Sequence, residues 1–156
     1  MTDPQRDLAT YLNDHLAGAR GGIELAESYL SSCDDRSPGR EVITQIRRDL
    51  EDDQQALEQV MVVLGVERSL ARQGLGWLAE KVTQIKIHEG SSQALHLLMM
   101  VEALSSGSMG RLGLLDRLAS LEAPDQGLPW KQRAARALDH LTLLRRLGTE
   151  LSARAF

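Results

Sequence analysis

The chain has 156 residues, 42% of them hydrophobic and 26% charged, which suits one domain (1–156) with a substantial core and excludes a disordered polymer. A net charge of -4 and a pI near 5.6 offer no concentrated positive surface for a polyanion, so nucleic acid is not an expected partner. The longest apolar run, Val60 to Val66, is far short of a bilayer span, and the polar start "MTDPQRD" lacks a signal-like apolar segment, so a cytoplasmic protein without membrane contact is expected.

Leucine occurs 27 times against 12 for valine and isoleucine together, a bias toward helix and away from strand that predicts an all-α protein. Asp3 before Pro4 signals a helix start. Leu8, Leu12, Leu16, Ala19, Ile23, Ala26 and Leu30 then recur at helical steps as far as the turn "SSCDDRSPGR". In that turn Cys33, the single cysteine, stands beside Asp34 and Asp35, whose charge disfavours a thiolate, so it reads as an inert loop thiol. Ser37 and Pro38 predict the start of a second helix with Ile43, Ile46, Leu50, Leu57, Val60, Met61 and Leu64 inward, stopping at Gly65. A shorter amphipathic helix with Leu70, Trp77, Leu78, Val82 and Ile85 follows and ends near Gly90. A third long helix begins near Ser91 or Ser92 and carries Leu95, Leu98, Val101, Ser105, Leu112, Leu115 and Leu118. After "EAPDQGLP", the last runs from about Trp130 to Ala155 with Ala134, Leu138, Leu141, Leu144, Leu147 and Leu151 inward.

Connection lengths predict the topology. Short links at 33–38 and 122–129 make each flanking helix pair antiparallel, while about 25 residues between the pairs can travel the length of a bundle and leave the second and third long helices parallel. Gly18 with Gly22, and Gly107, Gly110 and Gly113, recur at three- and four-residue steps. Glycine costs a helix up to about 1 kcal/mol relative to alanine, so these positions read first as close helix packing and second as a shallow gap that could admit an apolar small molecule.

The stretches "YLNDHLAGARGGIELAESYL", "DLEDDQQALEQVMVVLGV" and "MMVEALSSGSMGRLGLLDRLASL" resemble a bacterial branch of the ferritin-like superfamily, over nearly the whole length. The resemblance implies a ferritin-like four-helix bundle with a long crossover containing a short fifth helix. It also implies where a two-metal centre would sit, because such proteins pair glutamates with E-x-x-H motifs whose i and i+3 side chains share a face. Here the four histidines, His15, His88, His96 and His140, are preceded three places earlier by Leu12, Ile85, Gln93 and Ala137, so no E-x-x-H exists. Laid on the family pattern, Leu50 falls at the ligand glutamate of the second helix and Asp53 at its histidine; Ala137 and His140 take the corresponding places in the last helix.

Residues from different helices could still hold iron, manganese or zinc, with His15, Asp53, Glu102 and His140 as candidates. At about 1.5 Å rise per residue His15 and Asp53 come within one turn of each other, whereas Glu102 and His140 lie about 14 Å apart along the axis. The four do not converge, and His15 with Asp53 reads as a buried hydrogen-bonded pair. The acidic group Asp49, Glu51, Asp52 and Asp53 reads as a solvated face apart from Asp53. The basic last helix, with Lys131, Arg133, Arg136, Arg145, Arg146 and Arg154, could complement it within the bundle or across a dimer. "GLGWLA" lacks the strand context of a dinucleotide site, and "SSGSMG" is not a hydrolase elbow. The expected function is a non-catalytic ferritin-like helical bundle without cofactor, acting as a scaffold or interaction module. A homodimer is expected, and the scaffold reading leaves room for an unidentified protein partner. The alternative is a degenerate ferritin-like metal-binding protein or oxidase.

Overall fold

The structure, a computed structural model, describes residues 3–69, 93–125 and 127–156. Among these all regular structure is helical, in four helices: α1 (Pro4–Ser32), α2 (Arg40–Val63), α3 (Gln93–Ser120) and α4 (Trp130–Ala155). The expected short helix, with Trp77 and His88, lies outside the described residues. No helix among those described is long and apolar enough to cross a membrane.

Local chemistry sets the helix ends. The Asp3 carboxylate accepts from Gln5 N at 3.0 Å, and Pro4 opens α1 where its missing N–H costs nothing. Contrary to the expectation at Ser37 and Pro38, α2 begins two residues later. Gly39 precedes it at φ 81°, and Pro38 stays in the turn, its carbonyl accepting from Tyr29 Oη at 2.6 Å. A side chain at Gly39 would meet that hydroxyl and the Leu147 side chain, so this turn requires glycine twice over. At the other end of α2, Gly65 at φ 69° closes a six-to-one turn, Val66 N donating to Met61 O at 2.8 Å and Gly65 N to Val62 O at 3.1 Å, as the sequence suggested.

The same motif ends α3, with Ala123 N donating to Leu118 O, but there the left-handed residue is Glu122 at φ 49°. A non-glycine residue is strained in that conformation, so Glu122→Gly should raise unfolding stability by about 0.5–1 kcal/mol in urea titration; a loss would show that the glutamate side chain has a compensating contact.

Helix directions follow from contacts along the axis. Gly22 faces Leu50 and Asn13 bonds Glu67 O, so α1 and α2 are antiparallel. Gly148 faces Val101 and Leu98, and Arg111 reaches His140, so α3 and α4 are antiparallel too. Gln93 bonds Ser32 O and Arg117 bonds Tyr11 Oη, which sets α3 antiparallel to α1, and therefore parallel to α2. That is the sense expected from one long crossover.

The core divides into two apolar clusters along the axis. One gathers Tyr29, Ile43, Ile46, Leu104, Leu144 and Leu147; the other gathers Leu12, Leu16, Leu57, Met61, Leu115 and Trp130. Most of the expected inward residues are there, with Leu25 and Tyr29 more deeply buried in α1 than Ile23 and Leu30. Leu8, Leu64 and Leu138 are corrections, since all three are exposed, Leu138 by 55%. In α4 the inward seam carries Arg133, Ala137 and His140 at the level where leucine was expected. The reason lies in what occupies the space between the two clusters.

Candidate functional site

A network of charges fills the middle of the bundle. On α2, Asp49, Asp52 and Asp53 stand at i, i+3 and i+4 and so share a face; on the antiparallel α4, Arg133, Arg136 and His140 share a face at i, i+3 and i+7. Of the acidic residues expected in solvent, Asp49 is a correction, whereas Asp52 and Glu51 remain half-exposed. Asp49 and Asp53 are buried, and the basic last helix complements them within the bundle. The carboxylate of Asp53, 5% exposed, accepts from Arg133 Nη1 at 2.9 Å and Arg136 Nη2 at 2.8 Å through one oxygen, and from Arg111 Nη1 at 3.0 Å through the other. Asp52 accepts from Arg133 at 2.7 Å and Arg136 at 3.0 Å. Arg133, 2% exposed, is held further by its Nε donating to Leu128 O at 2.8 Å, and its guanidinium lies 5.7 Å from the centre of the Trp130 ring.

Arg111, on α3, links the two halves. Its Nη2 lies 2.9 Å from His140 Nδ1, and His140 Nε2 lies 2.7 Å from Asp49 Oδ2, while Gln45 Nε2 donates to the other Asp49 oxygen at 3.0 Å. A guanidinium can only donate, so Nδ1 must accept and the proton belongs on Nε2, where it is given to Asp49. His140 is thus a neutral imidazole. Burial pushes its pKa below the ordinary 6.5, and the Arg111 charge pushes the same way, against the raising influence of Asp49. Burial also lowers Arg111, opposed by Asp53. For Asp52 burial acts upward, but the hydrogen bonds from Arg136 and Arg133 outweigh it and hold the carboxyl below its ordinary value. With His140 neutral, three arginines stand against three aspartates and the network sums to zero charge.

The four sequence candidates separate. Asp53 and His140 meet through Arg111, a residue the sequence reading did not single out. Glu102 is exposed and faces away on α3. His15 does not pair with Asp53: the arginines claim that carboxylate, and His15 instead sets its ring edge-on to Tyr11 with centroids 4.6 Å apart. Burial lowers the His15 pKa, helped by Arg117. Among the described residues no three His, Cys, Asp or Glu side chains group as metal ligands. The donor set explains this locally, since guanidinium protons cover the carboxylate oxygens a cation would need, and Nε of Arg111 and of Arg136 is buried with no acceptor. Cys33 is buried rather than in an open loop, with Arg40 Nη1 3.5 Å from its sulfur.

Beside the network, a cavity of about 250 Å³ runs between α1, α2 and α3, with His15 and Asp53 both on its wall. Gly107 and Gly110 line it where it opens to solvent. A Cβ added at Gly18, Gly110 or Gly113 would have nothing within 4 Å, so these glycines leave a gap and do not mark close helix packing; only Gly22 approaches a neighbour, with Leu50 Cδ1 at 3.5 Å from the added atom. No protein-family model, curated protein or solved structure matches the chain.

Proposed function

We propose that this chain is a ferritin-like bundle in which a neutral charge network stands where relatives of that fold hold two metals, and that it works without catalysis as a scaffold or interaction module. The observation that carries the reading is the placement of Arg111. Its two terminal nitrogens contact Asp53 and His140, the two positions that the resemblance puts at the ligand histidines. A guanidinium in that place supplies positive charge and hydrogen bonds where a cation otherwise would, without open coordination sites, redox chemistry or a bound oxygen species. The antiparallel α1/α2 and α3/α4 pairs, with α2 parallel to α3, further support the family assignment.

Self-association into a homodimer belongs to the same reading, supported by the exposed Val62, Val63 and Leu64 at the end of α2, and light scattering on the purified protein reads it directly. The metal question has a sharper test. Untagged protein purified without chelator, then exposed to ferrous iron in air, should carry less than about a tenth of an equivalent of iron, manganese or zinc and show no iron oxidation, because three bound arginines compete for the Asp53 carboxylate. One or two equivalents of tightly held metal would mean that the guanidiniums swing out, and would favour the degenerate metal protein built on Asp53 and His140.

A further inference from the structure

We infer that the cavity between α1, α2 and α3 is a binding slot for an unbranched, medium-chain molecule of about ten heavy atoms carrying an uncharged carbonyl. Glycines alone would not carry this, but two polar groups on the wall point the same way. Ser108 is 4% exposed, lines the cavity and has no hydrogen-bond partner among the described residues. Its neighbour Ser105, on the same helix, does what helical serines ordinarily do and donates to the carbonyl four residues back, Val101 O, at 2.9 Å. Ser108 makes no such bond, so its hydroxyl is free to pair with a polar group that enters the cavity. His15, on the opposite helix, faces the same space, and neither ring nitrogen has a partner among the described residues.

Shape and charge narrow the ligand. Between Asp14 and Gly22 the cavity follows α1 for about 12 Å, and 250 Å³ over that length leaves a cross-section of about 20 Å², the girth of one alkyl chain. The volume scales to about ten heavy atoms, given that an engineered cavity of about 150 Å³ takes benzene. Leu57, Leu104, Leu114 and Leu118 supply an apolar wall for the chain. A carbonyl head suits the slot because it can accept from the Ser108 hydroxyl, which has no partner among the described residues. It should be uncharged, because Arg111 already belongs to a network of zero net charge and a carboxylate would enter uncompensated. This last step rests on the metal-free network proposed above, so binding is measured in the presence of a chelator, which separates the two questions.

The probe is 2-nonanone, with octanoate as its charged counterpart of equal size, titrated into the full chain by calorimetry and thermal unfolding. The ketone should bind saturably and raise Tm by about 5–10 °C at a hundredfold excess over Kd, while octanoate does no more than salt. Ser108→Ala should weaken the ketone about fivefold, the value of one neutral hydrogen bond. Gly18→Leu should abolish binding with helicity retained, since its Cβ meets nothing and leucine is the better helix former. Absence of saturable ketone binding to the wild type, or undiminished binding to Gly18→Leu, overturns the slot. Tighter binding of octanoate overturns the uncharged head, and an unchanged Kd in Ser108→Ala removes the hydroxyl from its role.

Discussion

Asp53→Ala should cost about 3–5 kcal/mol of unfolding free energy, the range observed when one partner of a buried ion pair is deleted. For a chain of this size that corresponds to a fall in Tm of roughly 10–15 °C. The large effect follows from what the carboxylate holds. It accepts from three guanidiniums at once, from 2.8 to 3.0 Å, and its removal changes the buried charge from zero to one uncompensated positive. The three arginines do not suffer equally. Arg133 and Arg136 keep Asp52, and Arg136 also keeps Asp49 at 3.4 Å. Among the described residues Arg111 is left with the ring nitrogen of His140 as its hydrogen-bond partner, which cannot balance its charge. Replacing both sides, Asp53→Leu with Arg111→Leu, should therefore recover most of the loss, because an apolar pair in a buried position is often no worse than the ions it replaces. Urea denaturation of the single and double variants separates the terms. A cost below about 1 kcal/mol for Asp53→Ala would mean that water reaches the network and screens it, as at an exposed ion pair.

How much of this could be read in advance differs between the backbone and the site. The leucine spacing located all four long helices because apolar periodicity reports burial directly, and Gly65 announced the end of α2 because few other residues tolerate its φ of 69°. Chain length between segments was enough for the parallel relation of α2 and α3. The reading went astray where burial is polar. Hydropathy places arginine in solvent, so nothing in the sequence singles out Arg111, Arg133 stands out only as one of several basic residues able to complement the acidic group, and leucine spacing puts the inward seam of α4 through Leu138, which is exposed. A signal was nevertheless present. Asp49, Asp52 and Asp53 share one helical face, and Arg133, Arg136 and His140 share another, on helices whose directions bring the two faces together. Arg111 had no such partner spacing on its own helix. Its role depends on meeting α2 and α4 at the same level, which only the three-dimensional arrangement supplies.

That arrangement also makes the fold sensitive to mild acid. His140 accepts a hydrogen bond from Arg111 at Nδ1 and donates one to Asp49 from Nε2, so adding a proton at Nδ1 would set two donors against each other inside the core. The folded pKa therefore lies below the ordinary 6.5, chiefly through burial and secondly through Arg111. A base whose folded pKa is lowered contributes stability that is fully present above its unfolded value and is lost as pH falls through the folded one. The wild type should thus lose stability as pH drops below about 6.5, at up to about 1.4 kcal/mol per pH unit from this group. Asp52 adds a separate loss lower down. Its pKa lies below 3.8, so its contribution persists above that value and vanishes only as pH falls through the lowered one. His15 titrates in the same window as His140 and in the same direction, so the wild-type curve alone does not isolate the network. His140→Gln does, since the amide offers one acceptor and one donor but no titration. Urea denaturation at pH 8, 7, 6 and 5 should give a flatter profile for His140→Gln than for the wild type. Parallel profiles would mean that the imidazole charges without penalty, and that Arg111 leaves Nδ1 when it does.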